Sequence, residues 1–175
     1  MISLLTETVL AVEKYSDIFC RNGQFLSQEK QSEWPEADKE IFRAHWRDLA
    51  IDKVIPWDMN HDVYLQLEAG GLLHVVAARS EGRLVGYHIG ILGPHLHYKS
   101  AGTMCYEDIY YILPEFRTGG LGAKLFMFTE DNLREIGVTK WFLACKVHQD
   151  HSELFKGLGF RLQDYGFSKL LEAKE

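Results

Sequence analysis

Ile112-Leu113-Pro114-Glu115-Phe116-Arg117-Thr118-Gly119-Gly120-Leu121-Gly122-Ala123 is the stretch on which the reading of this chain turns. An apolar run at 104–113, rich in β-branched and aromatic residues, ends at Pro114. Past the glycines, Leu121, Leu125, Phe128, Leu133 and Ile136 recur at helical spacing, with Gly137 at the stop position. The stretch is therefore a strand feeding a glycine-rich turn that opens a helix. Successive N–H groups at a helix start have no intrahelical partners and sit at the positive end of the dipole, so a pyrophosphate can accept several of their hydrogen bonds. Gly120 and Gly122 let an anion approach the backbone, and Arg117 can add a charge-assisted contact to a phosphate. Two common nucleotide sites are excluded. Gly122 is followed by Ala123-Lys124-Leu125, without the Lys-Ser/Thr pair of a Walker A loop, and Leu125 stands where the dinucleotide fingerprint needs its third glycine.

Outward from this stretch, residues 72–78 and 84–92 are apolar runs joined by Ser80-Glu81-Gly82-Arg83, which predicts a β-hairpin. Residues 139–147 read as a further strand, 152–158 as a short helix stopped by Gly159, and 160–171 as a final strand or hairpin. The first 70 residues read as helical. Ile41, Phe42, Trp46, Leu49 and Ala50 fall at helical spacing, Ile55-Pro56-Trp57 is a break, and Val63, Tyr64, Leu65 and Leu67 follow the cap candidate Asn60. Trp46 and Tyr64 are assigned to the core by that spacing. The order β-β-β-α-β-α-β indicates an α/β sheet with helices on its faces, and strands joined through a helix are expected to run parallel.

The length of 175 residues, without a repeat or a Pro/Gly/Ser-rich linker, predicts one domain over 1–175. Apolar residues at 46% and charged ones at 25% exclude disordered and collagen-like classes. The 19 Lys+Arg against 25 Asp+Glu leave a net charge of −6, which provides no overall attraction to nucleic acid or anionic lipid, so neither is expected as a partner. Cys20, Cys105 and Cys145 are odd in number and far apart, as for reduced thiols, and residues 1–12 lack the pattern of a signal peptide. With no apolar run near the ~20 residues of a membrane span, a cytoplasmic protein is expected.

Arg117-Thr118-Gly119-Gly120-Leu121-Gly122 matches the R-x-x-G-x-G/A signature of the GNAT superfamily of acyl-CoA-dependent N-acetyltransferases. Ile112-Leu113-Pro114 resembles the family's V-x-P at the end of its fourth strand. Arg83-Leu84-Val85-Gly86-Tyr87 is similar to the G-x-x-V-G start of its third, and Leu154-Phe155-Lys156-Gly157-Leu158-Gly159-Phe160 to its F-Y-x-x-x-G-F segment. These segments cover residues 72–171 in the family's order. With Pro94-His95-Leu96-His97-Tyr98 and Asp108-Ile109-Tyr110, the chain looks most like small members encoded by phages and prophages.

The resemblance implies a mixed, mostly antiparallel sheet with helices on both faces and strands four and five splayed to bind acetyl-CoA. Residues 72–171 would be the CoA-binding core and 1–70 a helical part shaping the acceptor site. Backbone groups of Ile112 and Leu113 would bind the pantetheine arm, and the amides of Thr118, Gly119, Gly120, Leu121, Gly122 and Ala123 the pyrophosphate. The implied reaction moves acetyl from acetyl-CoA to a primary amine, small molecule or protein lysine, by direct attack in a ternary complex, with coenzyme A as product. A homodimer is compatible with the family, and the sequence does not mark its interface.

The amine must lose a proton before it attacks, which a carboxylate can accept. Glu107 and Asp108 lie where many family members carry a fourth-strand carboxylate. Alternation sends them to opposite faces, Asp108 with Tyr110 and Ile112, Glu107 with Ile109 and Tyr111, unless a bulge intervenes. Asp108 is preferred. At the tyrosine that many members use as general acid stands Phe155, counted here with the cofactor site, which has no proton to give. His148, His151 or Tyr165 could take that role, or it is dispensable, because a thiol of pKa about 8.5 leaves readily as thiolate. His95, His97 and Tyr98 are expected at the acceptor pocket. His-x-His with His88 and Cys105 nearby is not closed-site ligand spacing, so no metal is expected. The rival readings are a CoA-binding regulatory or interaction protein without turnover, motivated by Phe155, and a phage-type modifier of a host protein or modified DNA base.

Overall fold

A computed structural model describes residues 23–171. The packing divides the chain into two compact units, one ending at Ala144 and one beginning at Cys145. The first unit holds β1 (Gln24–Gln28), α1 (Glu36–Leu49), α2 (His61–Ala69), β2 (Leu73–Ser80), β3 (Arg83–Pro94), β4 (Thr103–Ile112), α3 (Leu121–Glu135) and β5 (Val138–Phe142). The second holds α4 (Ser152–Gly157).

The strands form one sheet in the order β1-β2-β3-β4-β5. The first three pairings are antiparallel, and β4 with β5, joined through α3, is parallel. This is the mixed, mostly antiparallel sheet that the resemblance implies. The hairpin turn carries Glu81 and Gly82 at φ +51° and +82°, the left-handed pair whose twist matches two antiparallel strands. Helices cover both faces. Tyr87 and His88 are consecutive and so point oppositely: Tyr87 meets Phe42 of α1 at 4.9 Å between ring centroids, and His88 meets Phe126 of α3 at 6.1 Å. Ile41, Phe42 and Leu49 on one side and Leu121, Leu125 and Leu133 on the other complete the core.

An ion-pair knot ties the N-terminal elements to the sheet. Arg79 of β2 donates to Glu29 just past β1 (2.8 Å), to Asp38 on the first turn of α1 (2.8 Å) and to the Gly82 carbonyl (2.9 Å).

The structure departs from the sequence reading in three places. Within the first 70 residues, Gln24–Gln28 is a strand on β2 rather than helix, because a five-residue edge strand is held by its partner, not by its own periodicity. The part of that helical reading before residue 23, with Cys20 and the N-terminal segment, lies outside the described residues. The strand expected over 139–147 stops at Phe142. Residues 160–171, expected as a strand or hairpin, form no helix or strand, and Leu162, Tyr165, Phe167 and Leu171 are exposed. Apolar content without a partner ladder does not make a strand.

Candidate active site

The site starts from an irregularity in β4. Ile89 pairs with Ile109 and the next residue, Gly90, with Glu107, so Asp108 is the extra residue of a β-bulge. Gly90 permits this pairing. A Cβ there would lie 2.4 Å from Cys105 Sγ and 3.3 Å from His88 Cε1, so the sulfur fills the place of the missing side chain. The bulge overturns the alternation argument. Asp108, expected on the face of Tyr110, instead accepts a hydrogen bond from the Tyr64 hydroxyl of α2, and its charge acts on Tyr87 of the α1 face. Burial, and then this bond, push the Tyr64 phenol far above its ordinary range, so it stays protonated as the donor. Glu107 shares its face with Cys105 and accepts from the Ala144 N–H at 3.0 Å.

That bond lies where β4 and β5 part. Their pairing ends at Tyr106 with Phe142, and β4 runs on to Ile112 without β5. Leu113 N–H donates to Val85 O (2.9 Å) on the β3 side, and its carbonyl accepts from Phe116 N–H (2.8 Å). By strand alternation the amide and carbonyl of Ile112 face the opposite, open edge.

Pro114 opens a single 3₁₀ turn, and the chain then swings through Gly119 and Gly120 at φ +72° and +77°. Only glycine adopts two such residues in succession without strain. Apart from their chain neighbours, no heavy atom lies within 4 Å of the place where either Cβ would stand, so the space over the turn is open. Gly120 caps α3, and its carbonyl accepts from Lys124 N–H at 3.1 Å, which leaves the amides of Leu121, Gly122 and Ala123 as the helix's unpaired first turn. Backbone donors at an open, positively polarised helix start suit a pyrophosphate.

Arg117, which enters the turn, is held by groups of the protein itself. Its Nε donates to Ile112 O (2.8 Å) and its Nη2 to Asp48 Oδ2 (2.9 Å), while the guanidinium lies 5.1 Å over the Tyr111 ring. Tyr111 hydroxyl donates to the same Asp48 oxygen at 2.7 Å. This bond, aided by Arg117, holds the Asp48 carboxyl below its ordinary range. One turn earlier on α1, His45 stacks on Tyr111 (4.9 Å, 8°) and shares a 2.6 Å hydrogen bond with the Tyr87 hydroxyl.

The remaining sequence candidates sit elsewhere. His95, His97 and Tyr98 follow β3 and precede β4, whereas the glycine turn follows the other end of β4. At ~3.3 Å per residue, a strand the length of β4 separates the two by about 30 Å. His95 Nδ1 accepts the amides of His97 and Tyr98, each at 3.1 Å, which closes that loop on itself. In the second unit, Asp150 accepts the Ser152 N–H (2.8 Å) at the start of α4, and Phe155 is buried against Phe160 at 5.9 Å. His148 and Tyr165 are exposed there. Among the described residues, no three His, Cys, Asp or Glu side chains are grouped to hold a metal ion, and no helix is long and apolar enough to cross a membrane.

The motif reading missed Asp48, His45 and Tyr64. His45 and Asp48 are spaced i, i+3 and so share a face of α1, the one signal in the sequence that singles them out, while helical spacing assigns Tyr64 to the core.

Residues 25–160 match the family model described as Acetyltransferase (GNAT) family. No curated protein matches the sequence. Among solved structures, an aminoglycoside acetyltransferase from an uncultured soil metagenomic sample superposes with a TM-score of 0.67 at 16% identity, covering 86% of this chain and 98% of its own. Glucosamine-6-phosphate N-acetyltransferase from Arabidopsis thaliana gives 0.60 at 15% identity, over 85% and 99%. Ribosomal-protein-alanine N-acetyltransferase from Brucella melitensis biovar Abortus 2308 gives 0.63 at 15% identity, over 85% and 99%. At such identities these similarities speak for the fold.

Proposed function

Since the chain belongs to the GNAT family of acetyltransferases, we propose that it moves the acetyl group of acetyl-CoA to a primary amine, of a small molecule or a protein lysine, by direct attack in a ternary complex. The observation that carries the reading is the pairing of an open glycine turn at the end of β4 with a carboxylate lifted out of the same strand by a bulge. Amides from Thr118 to Ala123 hold the pyrophosphate, and the Ile112 amide at the open edge takes the pantetheine arm. Acetyl-CoA supplies the activated thioester carbonyl. Asp108 accepts the acceptor's proton at the carboxylate oxygen that Tyr64 does not bond, which yields the neutral amine that attacks. Glu107, bonded to Ala144 at the parting of β4 and β5, is the alternative base. Phe155 has no proton to donate, and the thiol's pKa of about 8.5 lets sulfur depart as thiolate and take its proton from water. Free Cys105 and Cys145 support a reducing, cytoplasmic setting.

The test is calorimetric titration with acetyl-CoA and CoA, then a screen of amines. Micromolar binding is expected, and Gly120→Glu abolishes it by straining a φ of +77° and placing a carboxylate over the helix start. Asp108→Asn should keep binding and lower turnover by about 10²-fold or more. Absence of binding by folded wild type refutes the proposal.

A further inference from the structure

Resting on the proposed cofactor site, the geometry points to Asp48, on the last turn of α1, as a positioning residue for the glycine turn, with Arg117 as its brace and not as a phosphate ligand. Three contacts grip the guanidinium: the Asp48 carboxylate at 2.9 Å, the Ile112 carbonyl at 2.8 Å and the face of Tyr111 at 5.1 Å. Asp48 is itself aimed by the Tyr111 hydroxyl, at 2.7 Å, and Tyr111 is held flat by His45 from the same helix. Swinging Arg117 to a phosphate would break all three contacts and leave the Asp48 charge without its cation.

A brace matters at this point because the backbone just beyond Arg117 has little stiffness of its own. Gly119 and Gly120 are the most permissive backbone units, and ordering them costs more conformational entropy than ordering any other residue. Tying Arg117 to Ile112 on one side and to α1 on the other fixes the entry to the turn before a ligand arrives, so less ordering remains to be done on binding. The two roles for Arg117 give opposite signs for the loss of Asp48. If the guanidinium served the phosphate, Asp48 would compete for it and its removal would tighten acetyl-CoA. If Arg117 is a brace, removing either partner loosens the turn and weakens acetyl-CoA.

Acetyl-CoA is titrated calorimetrically at several salt concentrations into wild type, Asp48→Ala, Arg117→Ala and the double variant, with thermal unfolding as the folding control. Each single variant should weaken binding by about tenfold. The double should be no weaker than the worse single, because both remove one brace. The salt dependence of binding should be the same in wild type and Arg117→Ala, since no ion pair with the phosphate is lost. Asp48→Asn, which keeps an oxygen acceptor without the charge, should fall between wild type and Asp48→Ala and replaces the alanine variant if that one unfolds. Unchanged or tighter binding in Asp48→Ala or Asp48→Asn overturns the assignment, and so does a flattened salt dependence in Arg117→Ala. A folded wild type that binds no acetyl-CoA instead overturns the cofactor reading beneath it.

Discussion

His74 and His88 make the fold acid-labile, by an amount the structure lets one work out. Both are fully buried on the face of the sheet under α3, and none of their four ring nitrogens has a hydrogen-bond partner. His74 pairs in register with Gly90, two residues from His88 on the same face, so the rings are diagonal neighbours with Phe126 and Trp141 packed against His88. Burial pushes the imidazole of His74 down to about 4 and that of His88 down to about 3, from an ordinary 6.5. Above pH 6.5 the folded and unfolded chains both hold these rings neutral, and stability is unaffected. Below it the unfolded chain takes up two protons that the folded chain refuses, so stability falls until pH reaches the folded values. At pH 5 the deficit is 1.5 pH units below the unfolded value of 6.5, or about 2 kcal/mol per histidine and about 4 for both. The figure needs only that both folded values lie below 5. Against a typical total of about 5–15 kcal/mol it is a large share.

The assay is urea unfolding at pH 7 and pH 5 at constant ionic strength, for wild type and a His74→Leu/His88→Leu variant. Wild type should lose about 4 kcal/mol more than the variant between the two pH values. At pH 7 the variant should be no less stable than wild type, because buried imidazoles without partners already cost about 1–3 kcal/mol each. Equal losses in the two proteins would mean that the rings take up protons in the folded state, and the argument would fail.

Three further outcomes are expected. Tyr64→Phe removes the donor that orients Asp108, so kcat should fall severalfold while calorimetric binding of acetyl-CoA stays as in wild type. Gly90→Ala drives a Cβ to 2.4 Å from Cys105 Sγ and should cost about 1–3 kcal/mol in urea unfolding, part of it recovered when Cys105→Ala is added. Arg79→Met leaves Glu29 and Asp38, each less than a fifth exposed, without their cation and should cost about 3 kcal/mol in thermal unfolding, with the deficit shrinking as pH falls and Glu29, whose carboxyl Arg79 holds low against the opposing effect of burial, takes up its proton.

What could be read from the sequence, and what could not, divides by the range of the interactions involved. The glycine turn, α3 and the hairpin of β2 and β3 are decided within a few residues. Left-handed φ at Gly119, Gly120 and Gly82 and the 3.6-residue spacing from Leu121 leave few alternatives there. β1 escapes because its stability comes from β2, some fifty residues on, and a five-residue segment with no period of its own carries no trace of that partner. The bulge escapes for the same reason in sharper form. Nothing in Tyr106-Glu107-Asp108-Ile109 announces an extra residue, since it arises where Gly90 of the neighbouring strand makes room for Cys105 Sγ. That one-residue slip reverses the face of both carboxylates, because side chains alternate with a period of two. The chemistry of the site is thus legible as residue types near the end of β4, whereas its geometry depends on register. The same reasoning places Asp48 beyond motif reading: an aspartate on the last turn of a surface helix is ordinary until the fold sets Arg117 and Tyr111 against it. The motif names the turn, and a residue far outside the motif holds its first side chain.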